Sequence, residues 1–382
     1  MIRVGALVRA SDIPTQSNNG SYISNAVLLA HLAASYGVEL CLFSFGDIDL
    51  DKNNINGLFF EDGGYIRRKV AIPPIIDYKT LILRNEKVMA ALIDALRERS
   101  YFTRSYTGIT SYELYEQLAA DPEFSDTAVP AIPVGNDIDL NDLHAKLGRD
   151  FMLKPENSTG SRGIIGIVAG DGGYEVAKGS AASEFMTPAE LQSYIVNIAS
   201  TPHIALTSVK SLTPSGRPFL IRIHVQRRNK DAYSYIMYPR AGAGRSQSSP
   251  AYGGGAVPIS AFLQTNFGRK AEDIWLMLET FAKTFPQYYQ KFLDSPFFDI
   301  SFDVGIEKGH DSFRLRLLDV NRFPGFELKD NLGELHLVIA EATMECYKYI
   351  HSTIYGDFAV SEQDEPYSFR QINRKKRIWD NP

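Results

Sequence analysis

Asp303 and Asp319 interrupt stretches that otherwise read as buried strands, Asp303-Val304-Gly305-Ile306 and Leu317-Leu318-Asp319-Val320-Asn321. Strands are depleted in Asp and Asn, so both need a reason to be there. In two adjacent strands joined by the charged turn between them, the two carboxylates can face each other near one end. Asn321 then shares the face of Asp319, because side chains repeat with period two. Two carboxylates and an amide oxygen are hard ligands suited to Mg²⁺, which fills its other positions with water and substrate phosphate. Without a cation such carboxylates repel each other. The plain alternative is a strand end with Asn and Pro turn chemistry.

Lys154 begins a second cluster, Lys154-Pro155-Glu156-Asn157-Ser158-Thr159-Gly160-Ser161-Arg162-Gly163-Ile164. A lysine closes a strand, a turn of small residues follows, and the chain re-enters a strand. Small residues let backbone N–H groups crowd around phosphate oxygens, so such a hairpin can close over a nucleotide. The spacing excludes the helix-bound Gly-x-x-x-x-Gly-Lys-Ser/Thr loop; an ordinary surface hairpin is the alternative. The third cluster runs from Gly216 to Gln226, where Arg222, His224 and Gln226 share one polar strand face. A fixed guanidinium can bind a phosphoryl group bidentately and stabilise charge developing on it. Arg240 closes the next strand, a second cation able to point toward the same place. For each arginine alone, a solvated strand face is the simpler account.

The elements that must position these residues belong to a chain of ordinary globular composition. It has 382 residues, 44% apolar and 22% charged, enough to bury a core without disulfide or metal staples. Forty Lys plus Arg against forty-five Asp plus Glu give a net charge of −5, which argues against a general nucleic-acid binder. Cys41 and Cys346 are the only cysteines, so neither a disulfide framework nor a Cys-rich zinc site is expected. A cytoplasmic setting follows. No apolar run approaches a membrane span, and Met1 to Val8 does not read as a signal peptide.

Strands are expected at residues 2–8 and 38–45, around a helix from about Tyr22 to Tyr36 that ends at Gly37, a β-α-β unit with parallel strands. It contains no Gly-x-Gly-x-x-Gly. Residues 47–64 read as an acidic loop, Leu81–Leu83 as a short strand, and residues 86–98 and 112–120 as helices. The stretch from Val129 to Gly148, with Pro130, Pro133 and several Asp and Asn, reads as a connection between domains. Strands follow at residues 151–154, 164–169, 204–209, 219–227 and 233–239, then a Gly- and Ser-rich segment from Ala241 to Gly255. A helix at 270–292, strands at 297–306 and 312–320, and a helix at 332–354 complete the pattern.

In this order and at these spacings the three clusters resemble the ATP-grasp superfamily, most nearly its spore-coat-associated YheC/YheD-like group, from about Ile109 to Phe326. Ser111-Tyr112-Glu113-Leu114-Tyr115 followed by Pro130 is similar to the group's leading helix and linker. Lys154-Pro155 with Arg162-Gly163-Ile164 is similar to its phosphate hairpin. Arg217-Pro218-Phe219 through Gln226 resembles its arginine-bearing strand, and Gly253-Gly254 its glycine pair. The chain departs from the pattern at four places. Ser158 and Ser161 stand for glycines, no lysine lies near Ser111, Asp319 replaces a Glu, and Thr207-Ser208-Val209-Lys210 lacks the acidic residue often found at the adenine hinge.

The resemblance implies an α/β chain: an N-terminal parallel-sheet (pre-ATP-grasp) domain over 1–108, then a two-part ATP-grasp α+β fold. Its small, lid subdomain spans 109–212 and its catalytic subdomain 213–360, before a tail at 361–382. ATP and Mg²⁺ are the implied cofactors. The implied activity is an ADP-forming carboxylate–amine ligase, in which ATP turns a carboxylate into an acyl phosphate that an amino-acid or peptide-like amine attacks. Lys154 then takes the α- and β-phosphates, and Ser158, Thr159, Gly160, Ser161 and Gly163 form the lid. Thr207, Ser208 and Val209 border the adenine. Arg222 holds the γ-phosphate, Arg240 steadies the acceptor carboxylate, and Asp303, Asp319 and Asn321 carry the metal. The expected partners are small-molecule carboxylate and amine substrates, with neither nucleic acid nor membrane, and a homodimer as a candidate assembly. Two other functions stay open. Asp319 and Phe323-Pro324-Gly325 favour a small-molecule kinase on the same fold; the missing lysine and non-acidic hinge favour a degenerate nucleotide- or partner-binding protein.

Overall fold

Val4 and Ala6 alternate with Gly5 and Leu7, and both sets are covered, as a central parallel strand requires. The structure is a computed structural model that describes residues 1–13, 29–30, 32–62, 64–78, 86–103, 108–156, 163–178, 182–241, 258–309, 312–322, 324 and 333–355. Strands β1 (Ile2–Leu7), β2 (Val38–Phe43), β3 (Ile48–Asp49), β4 (Asn54–Glu61), β5 (Gly64–Ala71), β6 (Ile75–Tyr78) and β7 (Tyr101–Phe102) form the first sheet. Their spatial order is β3-β4-β2-β1-β6-β7, with β5 on β4. β1 pairs in parallel with β2 and β6, and β6 with β7. Gly37, at φ 72°, ends the helix between β1 and β2; only residues 29–30 and 32–35 of that helix are described. The strand expected at 81–83 lies outside the described residues.

Residues 47–64 are not a loop. They contain β3 and β4, which pair antiparallel, and β4 pairs with β5 in turn. Ile55 and Phe59 are buried with period two, while Asn53 and Asp62 take left-handed φ values of 51° and 48° at the turns. The polar residues mark the turns and the strand runs between them. Helix α1 (Glu86–Arg97) lays Ile93 and Leu96 against Leu7, Phe43 and Ile76 on one face of this sheet.

The second sheet follows helix α2 (Ser111–Ala120), which Thr110 and Glu113 cap reciprocally. Its strands are β8 (Ala131–Val134), β9 (Phe151–Pro155), β10 (Ile165–Gly170), β11 (Gly173–Lys178), β12 (Glu184–Met186) and β13 (His203–Thr207). They stand in the order β12-β11-β10-β9-β13-β8, all antiparallel. Helices α3 (Leu140–Leu147) and α4 (Pro188–Ile198) cover one face. The stretch from Val129 to Gly148 therefore holds a strand and a helix. Asp139 is the helix N-cap, accepting from the Asn141 N–H at 2.6 Å; acidic residues that start a helix had the composition of a linker.

β14 (Phe219–Arg227), β15 (Tyr233–Ala241), β16 (Asp299–Lys308) and β17 (Phe313–Asn321) make the third sheet, antiparallel in the order β15-β14-β16-β17. Helices α5 (Ile259–Phe267) and α6 (Ala271–Gln290) cover its apolar face, where Ile274, Leu278, Phe281 and Phe285 meet Ile223 and Phe302. Helix α7 (Gly333–Tyr355) closes the chain's described part. Its Met344, Tyr347 and Ile350 pack on Val4 and Ala6 of the first sheet. From its other side Thr343 accepts a hydrogen bond from Gln226 of β14 at 2.7 Å. One helix thus ties the first sheet to the third. No described helix is long and apolar enough to cross a membrane.

Candidate active site

β14 and β16 each present two faces. Ile221, Ile223, Val225, Ile300, Phe302 and Val304 point into the core, so the residues between them line the opposite, polar face. Strand register sets Tyr238, Arg222, Asp303 and Asp319 opposite one another, one from each strand, as a single row across the sheet. The adjoining row is Ile236, His224, Ser301 and Asn321.

Asp319 reaches this face only because the pairing slips. Asp303 stands opposite Asp319 but Val304 opposite Leu317, leaving Leu318 as an extra residue. Leu315 and Leu317 are buried in the core, and unbroken alternation would send Asp319 the same way. The bulge turns it over. The extra residue's carbonyl accepts a hydrogen bond from the Tyr115 hydroxyl of α2 at 2.7 Å.

Both carboxylates have a cation. Arg222 donates Nε to Asp303 Oδ1 and Nη2 to Asp303 Oδ2, each at 2.7 Å. Asn321 Nδ2 adds a bond to Asp303 Oδ2 at 3.1 Å. Lys154 comes from β9 in the second sheet and reaches Asp319 Oδ1 at 2.5 Å. The repulsion expected between the carboxylates is therefore absent from this arrangement, since each is neutralised. Burial opposes the charge on Asp303, yet Arg222, supported by Arg240 and the Asn321 bond, holds its carboxyl below the usual range. Burial likewise works against the Lys154 ammonium, and Asp319, with Tyr115 and Asp303 behind it, raises its pKa above the ordinary lysine value.

Arg240 lies two residues beyond Tyr238 on β15, hence on the same face, and its charge acts on both Asp303 and Tyr238. Tyr238 stands opposite Arg222 in the β14–β15 register; burial raises its phenol pKa, and the charges of Arg222 and Arg240 work against that rise. His224 and Gln226 are not solvated: each is 3% exposed. His224 pairs with Asp299, and Gln226 with Thr343 under α7.

Gly163 is the residue after the Lys154 turn whose backbone needs a glycine. Its φ is 78°, and a Cβ there would stand 2.9 Å from Pro155 Cγ. β9 and β10 pair around it as the expected hairpin, with Leu153 opposite Ile165. Ser158, Thr159, Gly160 and Ser161 lie outside the described residues. Thr207 ends β13, and Ser208 and Val209 lead toward β14. Val209 packs over Gly305, where a Cβ would approach it to 3.0 Å, and Gly305 is two residues along β16 from Asp303. Lys154, Arg222, Arg240, Asp303, Asp319 and Asn321 thus meet on one face of the third sheet, with Val209 packed over Gly305 on β16.

Sequence reasoning passed over Tyr238, and placed Tyr115 in the leading helix without its contact to the bulge. Tyr238 was within reach of such reasoning, since counting the β14–β15 register places it opposite Arg222; nothing local marks the Tyr115 contact. Among the described residues no group of three or more His, Cys, Asp or Glu side chains gathers to hold a metal. The set Asp303, Asp319 and the Asn321 amide oxygen still fits Mg²⁺, which favours oxygen donors and needs few from the protein.

The lysine-bearing second sheet and the third sheet with its carboxylate row both fall within the part of the chain that a family profile matches. The profile of the YheC/D like ATP-grasp family matches residues 102–350, and the chain belongs to that family. Comparison with curated proteins finds no match. Among solved structures, a RimK domain ATP-grasp protein from Sphaerobacter thermophilus DSM 20745 is 12% identical, covering 91% of this chain and 99% of its own, with a TM-score of 0.42. The ATP-grasp ligase PsnB complexed with a minimal precursor is 12% identical, over 90% of this chain and 97% of its own, at 0.41. N5-carboxyaminoimidazole synthetase from Staphylococcus aureus complexed with ADP is 11% identical, over 85% and 71%, at 0.40.

Proposed function

We propose that this chain is an ADP-forming ligase that activates a carboxylate with ATP and joins it to the amine of an amino acid or peptide-like acceptor. The observation that carries the reading is the row of Arg222, Asp303 and Asp319 faced by Lys154 from another sheet. Lys154 binds the α- and β-phosphates, the turn from Ser158 to Gly163 covers them, and Thr207, Ser208 and Val209 border the adenine. Asp303, Asp319 and Asn321 hold Mg²⁺, which when bound neutralises phosphate charge. The substrate carboxylate, steadied by Arg240, attacks the γ-phosphorus; the bond from that phosphorus to the β-phosphate oxygen breaks and ADP leaves. Arg222 stabilises the charge on the transferring group. The amine then attacks the acyl carbon, the acyl C–O bond breaks with its electron pair going to phosphate, and the amine loses a proton.

A screen of amino acids and small carboxylic acids for amine-dependent ADP release tests this. ADP with a new amide supports the ligase, and ADP with a phosphomonoester would make the chain a kinase. The pairing of both carboxylates with protein cations favours one second reading, a nucleotide-binding chain without transfer. Bound nucleotide with no ADP formed on any substrate would establish it.

A further inference from the structure

Lys154 and Asp319 form a contact that the proposed ligand set cannot keep. If Lys154 goes to phosphate and Asp319 to a divalent ion, their 2.5 Å ion pair must open. The pair is well shielded, with side chains 5% and 21% exposed, and an ammonium so buried needs a counter-charge at every stage. Tyr115 also acts on Lys154, but burial pushes its phenol up to about 12 and its hydroxyl donates to the Leu318 carbonyl, so it supplies no counter-charge. Asp303, the next anion, already accepts from Arg222 Nε and Nη2 and so offers Lys154 no unshared charge in the nucleotide-free chain. A divalent ion approaching Asp319 alone would leave Lys154 buried beside a like charge. Nucleotide phosphates instead supply the ammonium with a new partner and leave the carboxylate to the metal.

We propose that Lys154 occupies the metal's place at Asp319 in the nucleotide-free chain, so that the phosphates bind first and divalent-ion binding at Asp319 follows. The proposal rests on the nucleotide and metal roles given above and adds their order. It makes ammonium and metal competitors for one carboxylate.

The test uses the full chain without nucleotide and Mn²⁺ as the probe, with free Mn²⁺ followed by electron paramagnetic resonance. Lys154→Gln should bind Mn²⁺ roughly tenfold more tightly than wild type, within the range usual for coupled sites. Lys154→Arg, which keeps the cation, should bind it as weakly as wild type. From the other side, Asp319→Asn releases Lys154 from its anion, so ADP in the presence of EDTA should bind this variant more tightly than wild type. That arm stands by itself if Lys154→Gln does not fold. Mn²⁺ binding to folded Lys154→Gln no tighter than to wild type overturns the proposal, as does unchanged or weaker metal-free ADP binding to Asp319→Asn. Wild type that binds ADP with Mn²⁺ while either result fails would sink the order alone. Wild type that binds no ADP under any condition would remove the nucleotide reading and the order with it.

Discussion

Arg222–Asp303 and Lys154–Asp319 are two ion pairs at neighbouring places in one row, built by different means. Arg222 and Asp303 stand directly opposite each other on adjacent strands, and sheet register delivers them face to face with two parallel hydrogen bonds. Lys154 and Asp319 come from different sheets, make one contact, and meet only when the second sheet closes over the third. The first pair is part of how the third sheet folds. The second reports how two parts of the molecule sit together, which suits a contact that ligands are to exchange.

The largest effect should follow from breaking the first pair. Asp303→Ala leaves Arg222, 12% exposed at the side chain, without its carboxylate, and the cost should be about 3–5 kcal/mol, as for other buried pairs that lose one partner. Urea unfolding followed by circular dichroism measures it. A loss below about 1 kcal/mol would mean that water or another group reaches the guanidinium.

Asp319→Asn should cost less, about 1–3 kcal/mol, because the amide oxygen can still accept from Lys154 and the site is partly open. This differs in sign from what two unpaired carboxylates would give, where removing one charge relieves repulsion and stability holds or rises. The same unfolding assay decides between them. Stability equal to or above wild type would show that Lys154 is not held by Asp319 in solution.

The difference between the pairs also explains what could be read in advance. Arg222, His224 and Gln226 declare their shared face through period-two alternation, and Asp303 stands out as a charge among Phe302, Val304 and Ile306. These are local patterns, and the strands they mark are where expected. The bulge at Leu318 leaves no local mark: Leu315, Leu317 and Asp319 alternate perfectly, and only the pairing with β16 shows that the last one faces the other way. The Lys154–Asp319 contact spans 165 residues and two sheets, so no spacing rule could give it. In the N-terminal region, Asn53 and Asp62 drew attention to turns and hid the β4–β5 hairpin between and after them. Asp139 did the same for α3.

A pH series on the same proteins separates the pairs with smaller changes, one at each end. The Asp303 carboxyl is held below its ordinary pKa of 3.8. Its stabilisation is therefore complete above that value and lost as pH falls through it toward the lower native one. The Lys154 ammonium is held above its ordinary 10.5; its stabilisation is complete below that value and lost as pH rises through the higher native one. Relative to wild type, Asp303→Asn should flatten chiefly the acid limb, and Asp319→Asn, which removes the main partner of the Lys154 ammonium, should flatten the alkaline limb. An alkaline limb left unchanged by Asp319→Asn would mean that the Lys154 ammonium does not draw its stabilisation from that carboxylate.

The smallest effect is expected away from the carboxylate row, at Arg68 and Glu61 of the first sheet. Their 2.6 Å contact is as short as those in the row, but both side chains are 39% exposed. Water screens the attraction and the charges lose little hydration on pairing, so such pairs contribute about 0–1 kcal/mol. Arg68 also has Glu39 at 3.1 Å and lies over the Phe59 ring at 4.0 Å, so the guanidinium stays placed without Glu61. Glu61→Gln should shift the urea midpoint by an amount equivalent to at most about 0.5 kcal/mol, and less in 0.5 M salt. A loss matching Asp319→Asn would show that contact length, rather than burial, sets the strength of the ion pairs in this protein, and the contrast between register-built and sheet-bridging pairs would have to be rebuilt on that footing.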